Sequence, residues 1–211
     1  AAAARLRDPE ELDARAVASL VYTSGTTGDP KAVELTHASV AEVVAMMHAR
    51  IPLGPDTVIV SYLPLSHIAA QGIDVFSAIY CGAEVHFADA DALRGSLKAT
   101  LLRVRPTLFF GVPRVWEKLA AAMKAKAAEA YAKPGAGPAL KAIGAAAKAV
   151  GAAWYSPRVP ELARAALAPP FALARALVFK KARKGCGLDR CALLYTGAAP
   201  LPEGVLSYLR S

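Results

Sequence analysis

The sequence has few cysteines and few aromatic residues. Its 211 residues include three cysteines, Cys81, Cys186 and Cys191, and no CxxC pair. An odd number leaves one thiol unpaired in any disulfide scheme, and the spacing fits no zinc site, so we expect reduced thiols in an intracellular protein and no metal ligands. Aromatic residues make up 7% of the chain. They are not interleaved with the basic residues as stacking platforms, which argues against a nucleic-acid partner.

Long apolar runs are also missing. The most apolar stretch, residues 165–179, contains Pro169, Pro170 and Arg175. It is shorter than the roughly 20 apolar residues that a membrane-spanning helix needs. No basic head followed by an apolar stretch is visible at the N-terminus, so no secretory signal is indicated. We expect no transmembrane segment, and a location in the cytoplasm or on a membrane surface.

Acidic residues are scarce in one part of the chain. The formal net charge is +8, yet residues 124–184 carry twelve basic residues against only Glu129 and Glu161. From 133 to 184 the strand pattern disappears, and alanine, lysine and proline dominate. We interpret 133–186 as a basic helical insertion into a domain that is otherwise close to neutral.

Strand and helix patterns alternate along the rest of the chain. Apolar, β-branched runs predict strands at 17–22, 32–35, 57–63, 84–87, 107–110 and 191–195. Helical patterns fall at 36–49, 68–80, 91–103, 112–132 and from 202 onwards. This alternation predicts an α/β fold with a doubly wound, mainly parallel sheet and helices on both faces. The loops at 23–31, 64–67 and 196–200 each follow a strand, so we expect them to share the rim where ligands bind.

A glycine-containing loop follows the first predicted strand and is the strongest functional signal. Residues 23–31 read TSGTTGDPK. Gly25 and Gly28 permit tight turns that present backbone N–H groups to an anion. Three hydroxyls, from Ser24, Thr26 and Thr27, and one lysine ammonium complete a set that suits a polyphosphate. The spacing excludes a Walker loop, which needs four residues between its glycines and ends in GK[ST].

The loop and its surroundings resemble the signature of adenylate-forming, AMP-binding enzymes. The stretch 22–37 (YTSGTTGDPKAVELTH) carries the resemblance, and four further stretches occur in the order expected for long-chain acyl-CoA synthetases of the bubblegum type. They are 61–71 (SYLPLSHIAAQ), 91–97 (DALRGSL), 106–119 (PTLFFGVPRVWEKL) and 187–201 (GLDRCALLYTGAAPL). The resemblance implies that 1–211 is part of the large N-terminal domain, with 17–132 and 187–211 as its nucleotide-binding portion.

The resemblance also implies a role for individual residues. The ATP β- and γ-phosphates would be held by the loop residues Thr23, Ser24, Gly25, Thr26, Thr27, Gly28 and Lys31. His67 matches a position that lines the acyl and adenylate pocket, and Lys31 and His67 are the expected catalytic residues. The adenine would lie against Gly197, Ala198 and Ala199, where small residues allow close approach of a planar base. Trp116 is expected in the core.

Two residues depart from the family pattern. Ala32 stands where the family usually has glycine, and it would be strained if that position needs a positive φ. Glu34 stands where an apolar residue is common, and a carboxylate near a triphosphate is repulsive unless it points away.

The function implied is ATP-dependent conversion of a long-chain fatty acid to an acyl-adenylate and then to acyl-CoA. ATP, Mg²⁺ and CoA are the expected cofactors and co-substrates. The family's later motifs are absent up to Ser211, so we expect the isolated chain to be inactive. Two alternatives stay open, an aryl- or medium-chain acyl-CoA ligase and a non-catalytic nucleotide-binding remnant. The basic, apolar stretch 171–184 in the insertion also suggests peripheral association with an anionic membrane.

Overall fold

The computed structural model describes residues 12–23, 29–135 and 137–211. Contacts divide the chain into two compact units, Ala1–Phe87 and Ala88–Ser211. Both combine helices with strands.

The first unit begins with a β-hairpin. Strand β1 (Val17–Thr23) pairs antiparallel with β2 (Lys31–Thr36). We predicted 17–22 as a buried strand of a parallel sheet, and this is wrong, because only Val21 in β1 is buried and the strand pairs antiparallel with β2. The seven residues 24–30 are too few for the crossover of a dozen or more residues that a parallel return requires. The loop 23–31 therefore closes a hairpin instead of following a parallel strand.

The rest of the first unit follows the predicted alternation. Helix α1 (His37–His48) begins after Thr36, whose hydroxyl accepts a hydrogen bond from the Ser39 backbone N–H at 3.2 Å. Strands β3 (Val58–Ser61) and β4 (Glu84–Phe87) are parallel. Helix α2 (Ile68–Cys81) connects them, and its middle part, Gln71–Ser77, widens into a π-helix. The predicted elements in this region are confirmed.

The second unit contains two parallel strands and five helices among its described residues. Strands β5 (Leu108–Gly111) and β6 (Leu193–Thr196) pair in parallel. The helices are α3 (Leu97–Val104), α4 (Pro113–Tyr131), α5 (Gly137–Trp154), α6 (Glu161–Lys184) and α7 (Glu203–Arg210). The single helix predicted at 91–103 is divided, because Gly95 has a φ of 154° between a 3₁₀ turn (Ala92–Arg94) and α3. The α/β class with parallel strands is confirmed.

Residues 133–186, which we predicted to be a basic helical insertion, are mostly helical. Helix α6 continues through Pro169 and Pro170 and extends to Lys184. Each proline removes one backbone N–H, and because this part of the helix is exposed, water can bond the carbonyls left free. Of the helices in the described ranges, α6 has the length and apolar composition to cross a membrane. This criterion concerns length and composition alone, so our expectation of no transmembrane segment stays a prediction.

The core of the second unit includes residues of α3, β5 and α4. Leu101, Phe109 and Trp116 are all nearly inaccessible to solvent. The rings of Phe109 and Trp116 meet edge to face, with centroids 5.4 Å apart. Trp116 is thus a core residue, as predicted, and it also holds the strand ends described below.

Candidate functional site

The ends of the glycine-containing loop are held together by the hairpin. Thr23 and Lys31 are directly opposite each other in the β1–β2 register. The Thr23 hydroxyl donates a hydrogen bond to the Lys31 carbonyl oxygen at 3.3 Å. That bond uses the only hydroxyl proton of Thr23, so its side chain can accept a further hydrogen bond but not donate one. The five residues Ser24, Gly25, Thr26, Thr27 and Gly28 lie outside the described residues.

Lys31 offers its positive charge to solvent. Its side chain is exposed at the first position of β2. Within ranges 12–23, 29–135 and 137–211, no carboxylate lies within ion-pairing distance of its ammonium. A lysine placed at the end of a hairpin loop and without an acidic partner can bind an anion held by that loop.

Neither departure from the family pattern disturbs this arrangement. Ala32 lies in regular strand opposite Tyr22, and the described non-glycine residues with positive φ are Arg105 and Ala198. The expected backbone strain at Ala32 does not occur. Glu34 is three positions from Lys31, and alternate residues of a strand point to opposite faces. The carboxylate of Glu34 therefore projects from the other face of the hairpin.

His67 lies in the same unit as the hairpin, at the beginning of α2. Its ring Nδ1 accepts a hydrogen bond from the Ala69 backbone N–H at 3.1 Å and so caps the helix. A ring nitrogen that accepts carries no proton, so in the neutral imidazole the proton is on Nε2. The residue is exposed. The cap therefore makes Nε2 a donor available to a ligand.

The predicted adenine-contacting loop follows β6 in the second unit. Ala198 has a φ of 69°, in the left-handed region that alanine rarely adopts. Gly197 packs over Phe110, and a Cβ at this position would approach that ring to 2.9 Å. Close packing against Phe110 therefore favours glycine at position 197. Strain retained at an exposed loop is a common feature of ligand sites.

One core residue ties together the strands that end beside this loop. The Trp116 indole Nε1 donates to the carbonyl oxygen of Gly111 at 2.9 Å and to that of Tyr195 at 3.3 Å. Gly111 ends β5, and Tyr195 is the penultimate residue of β6. The shared donor holds the carboxyl ends of both strands in register and so fixes the start of the 197–199 loop.

Sequence reasoning did not give a role to two polar residues of α2. Gln71 and Asp74 lie three residues apart in a mostly apolar helix, in its π-helical part, which also contains Ser77. Gln71 bonds both to β1 and to the 64–67 loop. The Asp74 carboxyl bonds the Ser61 hydroxyl, and burial raises its pKa from 3.8 to about 6. Two polar residues on one side of an apolar helix were the signal available in the sequence.

Comparison with known proteins identifies relatives over nearly the whole chain. The profile of the family described as AMP-binding enzyme matches residues 1–211. The long-chain-fatty-acid–CoA ligase ACSBG2 of Xenopus laevis is 42% identical over 92% of this chain, which corresponds to 26% of that protein. The human ACSBG2 is 37% identical over 96% of the chain and 29% of the relative. The chain thus spans about a quarter of the length of these relatives.

Solved structures show the same fold at lower sequence identity. The adenylation domain of a carboxylate reductase from Mycobacterium chelonae superimposes with a TM-score of 0.61 over 94% of this chain and 26% of that one, at 20% identity. A malonyl-CoA ligase, in a ternary product complex with methylmalonyl-CoA and AMP, gives a TM-score of 0.56 over 93% of this chain and 30% of that one, at 21% identity. These likenesses concern the fold. The family match over all 211 residues shows that the chain belongs to the AMP-binding enzyme family.

Proposed function

We propose that this chain is the nucleotide-contacting part of a long-chain fatty acid–CoA ligase, acting within a protein longer than 211 residues. The observation that supports this most strongly is the 42% identity to a long-chain-fatty-acid–CoA ligase across 92% of the chain. The hairpin geometry agrees with it, because the loop is closed by Thr23 and Lys31 with the Lys31 ammonium unpaired within the described residues.

The proposed reaction has two halves. A fatty carboxylate attacks the α-phosphorus of ATP and pyrophosphate leaves; the CoA thiolate then attacks the acyl carbonyl carbon of the mixed anhydride and AMP leaves. In the first half, Lys31 stabilises the negative charge that grows on the departing pyrophosphate. The N–H groups and hydroxyls of 24–28 are proposed to bind the same phosphates. Gly197, Ala198 and Ala199 are proposed to bind the adenine.

His67 is proposed to act as a hydrogen-bond donor. Because Nδ1 is bonded to the Ala69 N–H, Nε2 is the nitrogen that can donate to an oxygen of the carboxylate or the adenylate. The cap also fixes the ring orientation. A donor already oriented by the fold needs no reorganisation when charge develops, and this is the main source of electrostatic catalysis.

Mg²⁺ and CoA are proposed to bind within the longer protein. Among the described residues, no group of three or more His, Cys, Asp and Glu side chains is arranged to hold a metal ion. Mg²⁺, when bound with ATP, would neutralise phosphate charge. Because the chain corresponds to about a quarter of the length of these relatives, we expect residues 1–211 alone to form no thioester.

Pyrophosphate exchange in the full-length protein tests this function. We expect incorporation of labelled pyrophosphate into ATP that depends on a long-chain fatty acid, the substrate class in the names of the relatives. Exchange supported only by aryl or medium-chain acids would instead favour an aryl- or medium-chain acyl-CoA ligase. Nucleotide binding without exchange for any carboxylic acid would favour the non-catalytic remnant.

A second proposal is that the insertion at 133–186 binds an anionic membrane surface peripherally. Leu162, Leu173 and Leu177 of α6 are 89%, 61% and 50% exposed. Leu162 and Leu173 are eleven residues apart, or about three turns, and so lie on one side of the helix. The exposed residues Lys180, Lys181 and Lys184 follow. An exposed apolar stripe beside a basic cluster suits the interface of a bilayer that contains anionic lipids.

This surface position is favoured over a spanning one by the charges inside the helix. Arg164 and Arg175 lie within α6, and an arginine at the centre of a spanning helix costs about 2.5–3.5 kcal/mol. At the interface the same side chains stay hydrated. The protein would then be intracellular, either in the cytoplasm or on a membrane surface where fatty acids partition.

Flotation with liposomes tests the membrane proposal. We expect recovery with vesicles of phosphatidylserine and phosphatidylcholine, and little with phosphatidylcholine alone. Leu173→Glu should reduce binding, whereas Ala168→Glu, an equal charge change at an exposed position on another side of the helix, should have the smaller effect. Equal recovery on both vesicle types would refute the proposal. Resistance of the bound protein to alkaline carbonate would show a spanning helix instead.

A further inference from the structure

One glutamine side chain connects strand β1 with the loop before α2. The Ser19 hydroxyl of β1 donates to the Gln71 Oε1 at 3.0 Å. The Gln71 Nε2 donates to the carbonyl oxygen of Leu65, also at 3.0 Å. Ser19 and Gln71 are 52 positions apart in the sequence, so this contact exists only in the folded unit. All three residues belong to the first unit.

The partners determine which way the Gln71 amide points. The Leu65 carbonyl can only accept, so it must face the NH₂ group, and the Oε1 is then left for the Ser19 hydroxyl. Reversing the amide would place two acceptors together and lose the bond to Leu65. Both ends of the amide are therefore committed, and the side chain acts as a clamp between two backbone segments.

The clamp joins the two segments that carry the predicted catalytic residues. Ser19 is four residues before Thr23, where the glycine-containing loop begins. Leu65 is two residues before His67. The backbone reinforces the connection, since the Gln71 N–H donates to the His67 carbonyl oxygen at 3.1 Å and the His67 N–H donates to that of Pro64 at 2.9 Å. The backbone of His67 is thus held at its N–H by Pro64 and at its carbonyl oxygen by Gln71.

We propose that Gln71 is a positioning residue that sets His67 relative to the hairpin bearing Lys31. The expected effect of this positioning on catalysis rests on the proposed ligase function. Two groups that act in one adenylation reaction must be placed within a fraction of an ångström of their working geometry. This positioning also gives a role to the partly buried Gln71 amide, whose donor and acceptor groups both have partners.

A double-mutant cycle in the full-length protein tests the clamp. We expect Ser19→Ala to lower kcat for acid-dependent pyrophosphate exchange about 5-fold, the effect of one hydrogen bond, and Gln71→Ala to lower it at least as much. The double variant should be no slower than Gln71→Ala, because Ser19 has no partner once the amide is gone. Effects that multiply, or two single variants with wild-type kcat, would overturn the proposal.

Two variants of α2 separate positioning from general stability. Gln71→Glu keeps the acceptor for Ser19 but removes the donor to Leu65, so we expect a loss of kcat near that of Gln71→Ala. Gly72→Ala is the matched control, because a Cβ at 72 would meet nothing within 4 Å. It should retain wild-type kcat. Wild-type behaviour of Gln71→Glu would show that the Leu65 bond does not position the loop.

Hydrogen exchange in the same protein provides a readout independent of activity. We expect backbone amides of residues 65–69 to exchange at least about 5-fold faster in Gln71→Ala than in wild type, and at the wild-type rate in Gly72→Ala. Unchanged exchange would refute the clamp. If the wild-type protein lacks pyrophosphate exchange with every acid while the amides respond as expected, the ligase proposal fails and the clamp stands.

Discussion

Thr23 and Lys31 face each other where the hairpin opens into its loop, and the hydroxyl of Thr23 is bonded to the carbonyl oxygen of Lys31. The backbone of Lys31 is therefore fixed while its ammonium stays free of carboxylates within the described chain. This combination suits a residue that must meet a charge developing on a ligand. A mobile lysine would spend part of its interaction energy on ordering its own backbone.

Lys31→Ala in the full-length protein is expected to reduce the adenylation rate by about 10–1000-fold, because the variant lacks the cation that stabilises the leaving pyrophosphate. Steady-state pyrophosphate exchange measures the effect. The loss should fall mainly on kcat, since the charge is greatest in the transition state. Lys133→Ala, which removes an exposed lysine of the insertion, is the control. A wild-type rate in Lys31→Ala would remove Lys31 from the mechanism.

Glu34→Gln is expected to change the KM for ATP by less than about 2-fold. The Glu34 carboxylate lies on the face of β2 opposite to Lys31, where solvent screens it from phosphates bound by the loop. Titration of the exchange rate with ATP measures this. A carboxylate directed at the triphosphate would give the contrary result, a clear fall in KM when its charge is removed.

Ala198→Gly is expected to stabilise the fold by about 1 kcal/mol, because glycine adopts the left-handed region without the strain that alanine has there at a φ of 69°. Gly197→Ala should destabilise it by about 1–3 kcal/mol, since the added Cβ would approach the Phe110 ring to 2.9 Å. Urea denaturation measures both. We expect the two variants to change the free energy of unfolding in opposite directions. Changes of equal sign and size would contradict the loop geometry.

Asp74→Asn is expected to stabilise the protein at neutral pH but not below about pH 4. Burial raises the pKa of Asp74 to about 6, opposed by its hydrogen bond with Ser61, against an ordinary value of 3.8. The folded state therefore binds the proton more tightly than the unfolded state does. The stabilisation due to this proton is complete below 3.8 and is lost as the pH rises to about 6.

Because asparagine mimics the protonated acid, the difference in unfolding free energy between Asp74→Asn and wild type should grow between pH 4 and 6. It should approach about 3 kcal/mol at pH 7. Unfolding curves at pH 4, 5, 6 and 7 measure it. Asp56→Asn, at an exposed position, should show no comparable trend. A difference independent of pH would show that Asp74 is not a buried acid of this kind.

Local chemistry was readable from the order of residues. Thr36 caps α1 through its hydroxyl and Pro113 begins α4, as predicted from the types of residue that stabilise helix starts. The parallel pairs β3–β4 and β5–β6 followed from the alternation of strands and helices. The resemblance to the family was recognised from stretches such as 22–37 and 61–71, which can be read from the sequence without a structure.

The direction of β1 was not readable from the strand's own residues. An apolar run such as VASLVY has the same pattern whether its partner is parallel or antiparallel and whether it is buried or exposed. The length of the 24–30 connection indicates an antiparallel pair, since so short a segment cannot form the crossover that joins two parallel strands. The continuation of α6 through Pro169 and Pro170 was also missed, because proline preferences describe average helices and not an exposed one whose free carbonyls can bond water.

Residue types along the chain were enough to indicate the family and the basic nature of residues 133–186, and they predict phosphate binding at 23–31, since each of these depends on neighbours in sequence. The Ser19–Gln71–Leu65 clamp, the Nε2–H form of the neutral His67 ring and the opposite faces of Lys31 and Glu34 came only from the folded chain. Hydrogen bonds act over about 3 Å. Which groups come within that distance across 52 positions of sequence is decided by packing and strand register, which no local pattern encodes.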